Sequence, residues 1–283
     1  MKSIRNNLNN IIQKMLYPTY NEHWLFQLRF GWRQQVTIKT LETRVKFSAK
    51  SAASKRFFFP RATRGNLYEA PIVAELEKRC QPDTCFLDVG ANLGFYSILA
   101  AQIAFKGTIH AFEIDPELVT EILRNRVLNG FDNLIVVSGA VWDTDGELFT
   151  FGMDQAGDKT TNVVQQTNAK APVVATSLTL DSYCEHYQLR PNIVKIDVEG
   201  AEYHVLQGMK NILAGVDSLF LEIHPQLLQR FGNSVGDIQR FLDPYGFNVT
   251  RMDGYRRLNS KLKYTPLKEF STLEKNVMLL CER

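Results

Sequence analysis

Four cysteines in 283 residues, Cys80, Cys85, Cys184 and Cys281, form no CxxC pair and no zinc-ligand spacing, which argues against a structural zinc site and against a disulfide framework. The five histidines are scattered, and none falls in an HExxH pattern. No apolar run approaches the length that spans a bilayer. Residues 1–18 are rich in Asn and lack the apolar core of a secretory signal, so the expectation is a cytoplasmic protein with reduced thiols. Internal repeats and low-complexity linkers are also missing.

What is present is an apolar share of 45% and an aromatic share of 11%, enough to bury a sizeable core in one α/β domain with an added segment, or in two small domains. The net charge of +3 hides an uneven distribution. Residues 1–64 carry 13 Lys/Arg against two acids, whereas residues 65–283 carry 20 Lys/Arg against 28 Asp/Glu. A basic extension of this kind implies an anionic neighbour such as a membrane surface or an acidic glycan, or else a solvated face that complements the acidic remainder. Within it, Ile4, Leu8, Ile11, Ile12, Met15 and Leu16 fall at helical spacing, so an amphipathic helix is expected to lie on a membrane, on a partner, or on its own domain. Val36 to Phe59 reads as strand-like, and Arg64-Gly65-Asn66 as a turn.

From residue 70 onward strands and helices alternate. Strands are expected at Cys85–Val89, Thr108–Ile114, Leu134–Val141, Ile193–Ile196 and Ser218–Ile223. Helices are expected at 72–80, 93–104, 116–129, 201–213 and 235–244. Glu147–Phe151 reads as one arm of a hairpin around Asp145-Gly146, and Asn248–Arg251 and Val277–Cys281 close the pattern with a possible antiparallel edge. Repeated β-α alternation predicts a mainly parallel, doubly wound sheet with helices on both faces.

Four places carry the chemistry. In Asp88-Val89-Gly90-Ala91-Asn92-Leu93-Gly94 an apolar strand enters a glycine turn and then a helix, whose N-terminus suits an anionic group such as a carboxylate. The spacing is Gly-x-x-x-Gly, not the Gly-x-Gly-x-x-Gly of dinucleotide enzymes. Glu113 ends the next strand, 19 residues after Gly94, where an acid grips ribose hydroxyls in such folds. In Asp197-Val198-Glu199-Gly200-Ala201-Glu202 three acids crowd the carboxyl end of a buried strand. Asp197 can hold an ammonium, bind a metal or act as a base, while Glu202 reads as an acid favoured by the first turn of the following helix. In Glu222-Ile223-His224, His224 ends the adjacent strand and is a candidate base, with a metal held by Asp197 and Glu222 as the rival account. His186 and His204 read as structural.

In this order the residues resemble the FkbM-type methyltransferases, within the class I S-adenosyl-L-methionine (SAM)-dependent enzymes. The matching pieces are Asn66–Glu69, Phe86–Ser97, Ala111–Pro116, Gly139–Asp143 with Asp145-Gly146, Leu178–Asp181, Val194–Glu202 and Leu221–Pro225. Trp142 departs from the pattern, which often has a small residue there. The resemblance implies a Rossmann-like sheet of about seven strands over residues 65–283, SAM as methyl donor, and O-methylation of a sugar, glycolipid, polysaccharide or natural product. It places the cofactor against Asp88, Gly90, Ala91, Asn92, Gly94, Glu113, Ala140 and Asp197, with Asp197 and His224 as catalytic candidates. The polar stretch Phe151–Pro172 reads as a loop over the acceptor. A nucleotide-dependent oxidoreductase and a non-catalytic SAM-binding scaffold are the alternatives. No nucleic-acid acceptor is expected, since neither Asn-Pro-Pro-Tyr nor a catalytic Pro-Cys motif occurs.

Overall fold

The structure is a computed structural model that describes residues 32–62, 67–151, 173–256 and 263–283. The helix expected over residues 4–16, the turn at Arg64-Gly65-Asn66 and the polar stretch 152–172 lie outside the described residues.

The chain opens with β1 (Gln35–Lys39) and β2 (Arg44–Ser48), an antiparallel hairpin, then α1 (Ala52–Ala62). The alternation at Val36–Ile38 and Val45–Phe47 does form strands. The strand reading fails beyond residue 51, because Ser51 Oγ accepts the Ser54 N–H and starts a helix. Next come α2 (Ala70–Arg79), β3 (Cys85–Val89), α3 (Phe95–Ile103), β4 (Thr108–Glu113), α4 (Pro116–Asn129) and β5 (Leu134–Ser138). They are followed by β6 (Ala140–Val141), β7 (Leu148–Phe151), β8 (Val173–Leu178), α5 (Leu180–Tyr187) and β9 (Ile193–Ile196). The chain then makes α6 (Glu202–Gln207), α7 (Lys210–Leu213), β10 (Ser218–Ile223), α8 (Pro225–Leu228) and α9 (Val235–Leu242). It closes with β11 (Asn248–Asp253), β12 (Lys263–Pro266) and β13 (Val277–Glu282).

Eight strands form the main sheet, in the order β12-β11-β13-β10-β9-β3-β4-β5. Strands β10, β9, β3, β4 and β5 are parallel, and β13, β11 and β12 add an antiparallel edge. This is the expected Rossmann-like doubly wound sheet. It has one strand more than the seven anticipated, because Lys263–Pro266 extends the edge. The inner parallel strands β4, β9 and β10 are mostly apolar and buried on both faces, as helices on each side demand, while β5 at the edge is only partly buried. Their period of two splits the core: Phe86, Ile193 and Phe220 face one apolar cluster, while Leu87, Val194, Leu219 and Leu221 face the other.

Two expected elements are interrupted. Leu134–Val141 divides at Gly139, whose N–H bonds to the Glu113 carbonyl; β5 stays in the main sheet, and β6 leaves to pair with β8. The helix expected over 201–213 breaks at Gly208, where a Cβ would stand 2.0 Å from the Trp142 carbonyl oxygen. The hairpin expected around Asp145-Gly146 is also different. Strand β7 pairs with β8 and not with β6, and Asp145 instead accepts the Thr179 N–H and the Ser182 hydroxyl.

The described part of the basic extension shares the main core. Phe47 stacks on Phe58 and Phe95, Ser48 N–H bonds to Asn125, and Ser54 bonds to Glu121. No described helix is long and apolar enough to cross a membrane.

Candidate active site

Strands β4 and β5 run to one side of β3, the first parallel strand, and β9 and β10 to the other, so the strand order switches between β3 and β9. Ligands of open α/β sheets bind outside the carboxyl ends at such a point. The glycine turn sits there. Gly90 has φ +78°, and a Cβ on it would lie 2.0 Å from the Asp197 carbonyl oxygen, so the two loops that leave the switch touch through backbone. Gly90 and Ala91 both donate to the Phe112 carbonyl. Of the four non-glycine residues with positive φ among the described residues, Glu69, Asn92 and Glu199 belong to this edge. Backbone strain of this kind clusters at ligand sites.

Glu113 is 7% exposed. Its Oε2 accepts the Asn92 N–H at 2.7 Å, and its Oε1 accepts the Ile114 and Asp115 N–H groups at 2.9 Å. Burial, with the Asp115 charge, pushes its carboxyl up to about 7 against the pull of those donors. Glu113 therefore ties the glycine turn to the end of β4 while keeping carboxylate lone pairs at the edge. Ala140 follows directly on the Gly139 that bonds the Glu113 carbonyl. Asp88, two residues before Gly90, is turned into the core: it is fully buried, its Oδ2 accepts the Ser97 hydroxyl at 2.5 Å, and it pairs in register with Lys195.

On the other side of the switch, Asp88, Lys195 and Glu222 face the same side of the sheet as Phe86, Ile193 and Phe220, and Asp197 and His224 follow at the strand ends. That apolar face thus becomes charged at its carboxyl end. His224 Nδ1 lies 2.7 Å from Glu202 Oε1, and His224 Nε2 lies 3.6 Å from Glu222 Oε1 and 3.9 Å from Asp197 Oδ1. Lys195 Nζ approaches Asp197 Oδ2 at 3.4 Å and lies over the Tyr96 ring. Arg256 bonds Glu222 and Glu69, Tyr255 donates to Glu222 Oε1 at 2.8 Å, and Tyr96 donates to Glu69. Asp197 is the open member, its side chain 28% exposed against 1% for His224 and 0% for Glu222 and Glu202.

Electrostatics follow from this packing. Burial raises the Asp197 carboxyl, but the charges of Lys195, His224 and Arg256 outweigh it and hold it low. Burial and the neighbouring Asp197 charge push Glu222 up to about 7. Burial would lower His224, yet the Glu202 hydrogen bond and the surrounding carboxylates keep it at about 8.

The sequence-predicted residues Gly90, Asn92, Glu113, Asp197, Glu222 and His224 do converge on one edge. Glu202 is more than a first-turn acid, because it is buried and holds His224 as well as the Gly200 N–H. Glu69, Tyr96, Lys195, Tyr255 and Arg256 were not anticipated as site residues. A lysine inside the apolar run Ile193-Val194-Lys195-Ile196 was the available signal for one of them. Trp142 stacks on His204 with centroids 3.9 Å apart, and His204 bonds Asp143 and Asn233, in keeping with its structural reading.

A doubly wound sheet with a glycine turn after its first parallel strand, an acid after the second and a charged cluster across the switch defines an α/β domain with a ligand site at the strand switch. The FkbM methyltransferase domain matches residues 88–249, more than half of the chain, and the chain belongs to that family. The chain is 26% identical over 157 residues to the hexuronic acid methyltransferase AglP of Haloferax volcanii. That match covers 55% of this chain and 62% of AglP. Among solved structures, a SAM-dependent methyltransferase from Agrobacterium tumefaciens overlaps at a TM-score of 0.46 and 10% identity, covering 88% of this chain and 70% of its own. A precorrin-6y C5,15-methyltransferase from Geobacter metallireducens overlaps at 0.40 and 14%, covering 76% and 89%. At this level of overlap these structures speak to neither donor nor acceptor.

Proposed function

We propose that the protein moves a methyl group from SAM to a hydroxyl of a sugar-type acceptor, free or within a glycan, glycolipid or natural product. The observation that carries this reading is the placement of the Gly90–Gly94 turn and Glu113 directly across the strand switch from Asp197 and His224. The turn suits SAM in this structure. Glu113 keeps carboxylate lone pairs beyond its three backbone donors, and only glycine fits position 90 against Asp197. Gly90, Ala91, Asn92 and Gly94 would shape the seat at the helix N-terminus, Glu113 would accept from the ribose hydroxyls, and Ala140 would border the base. Asp88 supports the turn from within the core. When bound, SAM supplies an electrophilic methyl group on a sulfonium.

Asp197 and His224 stand on the acceptor side, where holding the reacting oxygen close and in line accounts for much of the rate of such a transfer. AglP is named for a hexuronic acid, which favours acidic sugars among the acceptors to try first. Calorimetry with SAM, followed by transfer of labelled methyl to a panel of neutral and acidic sugars, tests the reading. SAM binding with label on a sugar hydroxyl is expected; absence of SAM binding would overturn it. Residues 65–283 are taken as the methyltransferase domain. For the basic extension 1–64 the readings are contact with an anionic membrane or glycan surface and a solvated face that complements the acidic remainder; vesicle binding that weakens with salt would favour the first, and its absence the second.

A further inference from the structure

We propose that Asp197, Glu222 and His224 form a binding site for a divalent cation of the Mn²⁺ or Mg²⁺ kind, and that Glu202 positions the histidine ligand. One donor atom from each of the three residues lies within 4.8 Å of the others. The two nearest spacings, 3.6 Å and 3.9 Å, are too long for hydrogen bonds. They are about 0.6–0.9 Å wider than the roughly 3.0 Å between neighbouring octahedral ligands about 2.1 Å from one ion, so the ligands would close in by that much on binding.

Three further features point the same way. Glu202 takes His224 Nδ1 at 2.7 Å, so the proton of a neutral ring sits on Nδ1 and the Nε2 lone pair faces Asp197 and Glu222. A carboxylate behind a histidine is the usual outer partner of a metal-bound imidazole. Glu222 is fully buried, and Tyr255 and Arg256 both occupy Oε1, which leaves Oε2 buried with no partner. An unmade bond on a buried carboxylate is costly; a cation that took Glu222 through Oε2, beside the Oε1 that lies 3.6 Å from His224, would satisfy it. Finally, among the described residues the carboxylates of Asp88, Asp197, Glu69 and Glu222 share two permanent cations, Lys195 and Arg256, and Glu202 is met by His224. A divalent ion supplies the missing charge. Two carboxylates and one imidazole favour Mn²⁺, since Mg²⁺ prefers oxygen alone. Asp197, the exposed ligand, leaves the open coordination positions toward the acceptor side.

The catalytic consequence rests on the methyl-transfer reading; the binding of the ion does not. A hydroxyl on the ion is oriented and made more acidic. Its proton leaves to water, the oxygen–methyl bond forms as the sulfur–methyl bond breaks, and the bonding pair stays on sulfur to give the neutral thioether. His224 then acts as a ligand.

The test is a Mn²⁺ titration of the chelator-stripped full chain, followed by electron paramagnetic resonance and calorimetry without SAM or acceptor. One ion per chain is expected, with nitrogen hyperfine coupling from a histidine. Asp197→Asn and Glu222→Gln, checked for fold by circular dichroism, should each weaken binding more than tenfold, and Glu202→Gln by about 10–100-fold. Absence of stoichiometric Mn²⁺ in the wild-type chain, absence of nitrogen coupling, or unchanged affinity in both ligand variants would overturn the proposal. SAM binding is measured in parallel. SAM binding without ion binding defeats the ion site alone, whereas ion binding without SAM binding defeats the methyl-transfer reading and leaves the ion site standing.

Discussion

The two sides of the strand switch solve the problem of a buried carboxylate differently. Glu113 has its oxygens met by three backbone N–H groups of the loops it joins. Glu222, across the switch, relies on side chains, Glu202 on His224 and the Gly200 N–H, and each keeps one buried oxygen without a partner. The first side is organised by backbone and is complete as it stands. The second concentrates charge from five separate segments of the chain and is left short of positive charge. A difference of this kind separates a seat that recognises a constant ligand from one that handles protons or ions. Both sides hold carboxylates that titrate, but the partners of Glu113 are backbone amides fixed in place, whereas those of Glu222 are side chains that can move or be replaced.

The largest effect is expected where the two sides touch. Gly90→Ala forces a Cβ into the Asp197 carbonyl at a positive φ, and should lower stability by about 2–4 kcal/mol in chemical denaturation. An unchanged unfolding midpoint would show that the sides are not in contact. Glu113→Ala removes the acceptor of three N–H groups. It should cost about 1–3 kcal/mol of stability and weaken SAM binding by roughly one to two orders of magnitude in calorimetry. A folded variant with wild-type SAM affinity would remove Glu113 from the donor seat.

A smaller effect sharpens the contrast by pH. The carboxyl of Glu113 is held at about 7, and a ribose hydroxyl bonds best to its ionised form. SAM affinity should therefore rise between pH 6 and pH 8, by about five- to tenfold, and Glu113→Gln should flatten the curve. A pH-independent wild-type affinity would contradict this. The smallest effect belongs to the other side. Tyr255→Phe deletes the hydroxyl that donates to Glu222 Oε1 and should cost about 1 kcal/mol of stability. SAM affinity should stay unchanged; a loss would mean that the two sides are not separable.

Much of the donor side is local and was legible. Cys85–Val89 and Pro116–Asn129 fall where the pattern puts them, since an apolar strand, a glycine turn and a proline-led helix are each specified within a dozen residues. Glu113 was found because its role depends on spacing from the turn along one β-α-β unit. Asp197 and His224 were placed beside each other because consecutive parallel strands are neighbours in such sheets, and β9 and β10 are.

What only the tertiary structure decided is whatever depends on contact between distant segments. Arg256 and Tyr255 reach Glu222 from the end of β11, and Glu69 and Tyr96 reach the same edge from the start of α2 and α3. Nothing in the local sequence marks Tyr255 and Arg256, and Glu69 and Tyr96 stand in family-like segments without a sign of this role, because their partners come from 27 to 187 positions away along the chain. The breaks at Gly139 and Gly208 and the pairing of β7 with β8 are decided in the same way. Periodicity says which face of an element is apolar, but not where a carbonyl from another segment will occupy the space that a Cβ or a straight helix would need. The sequence by itself determined the order of the strands' chemistry and the glycine turn proposed to seat the donor. The burial that leaves Glu202 and Glu222 short of partners exists only once the sheet and its crossing segments close over them.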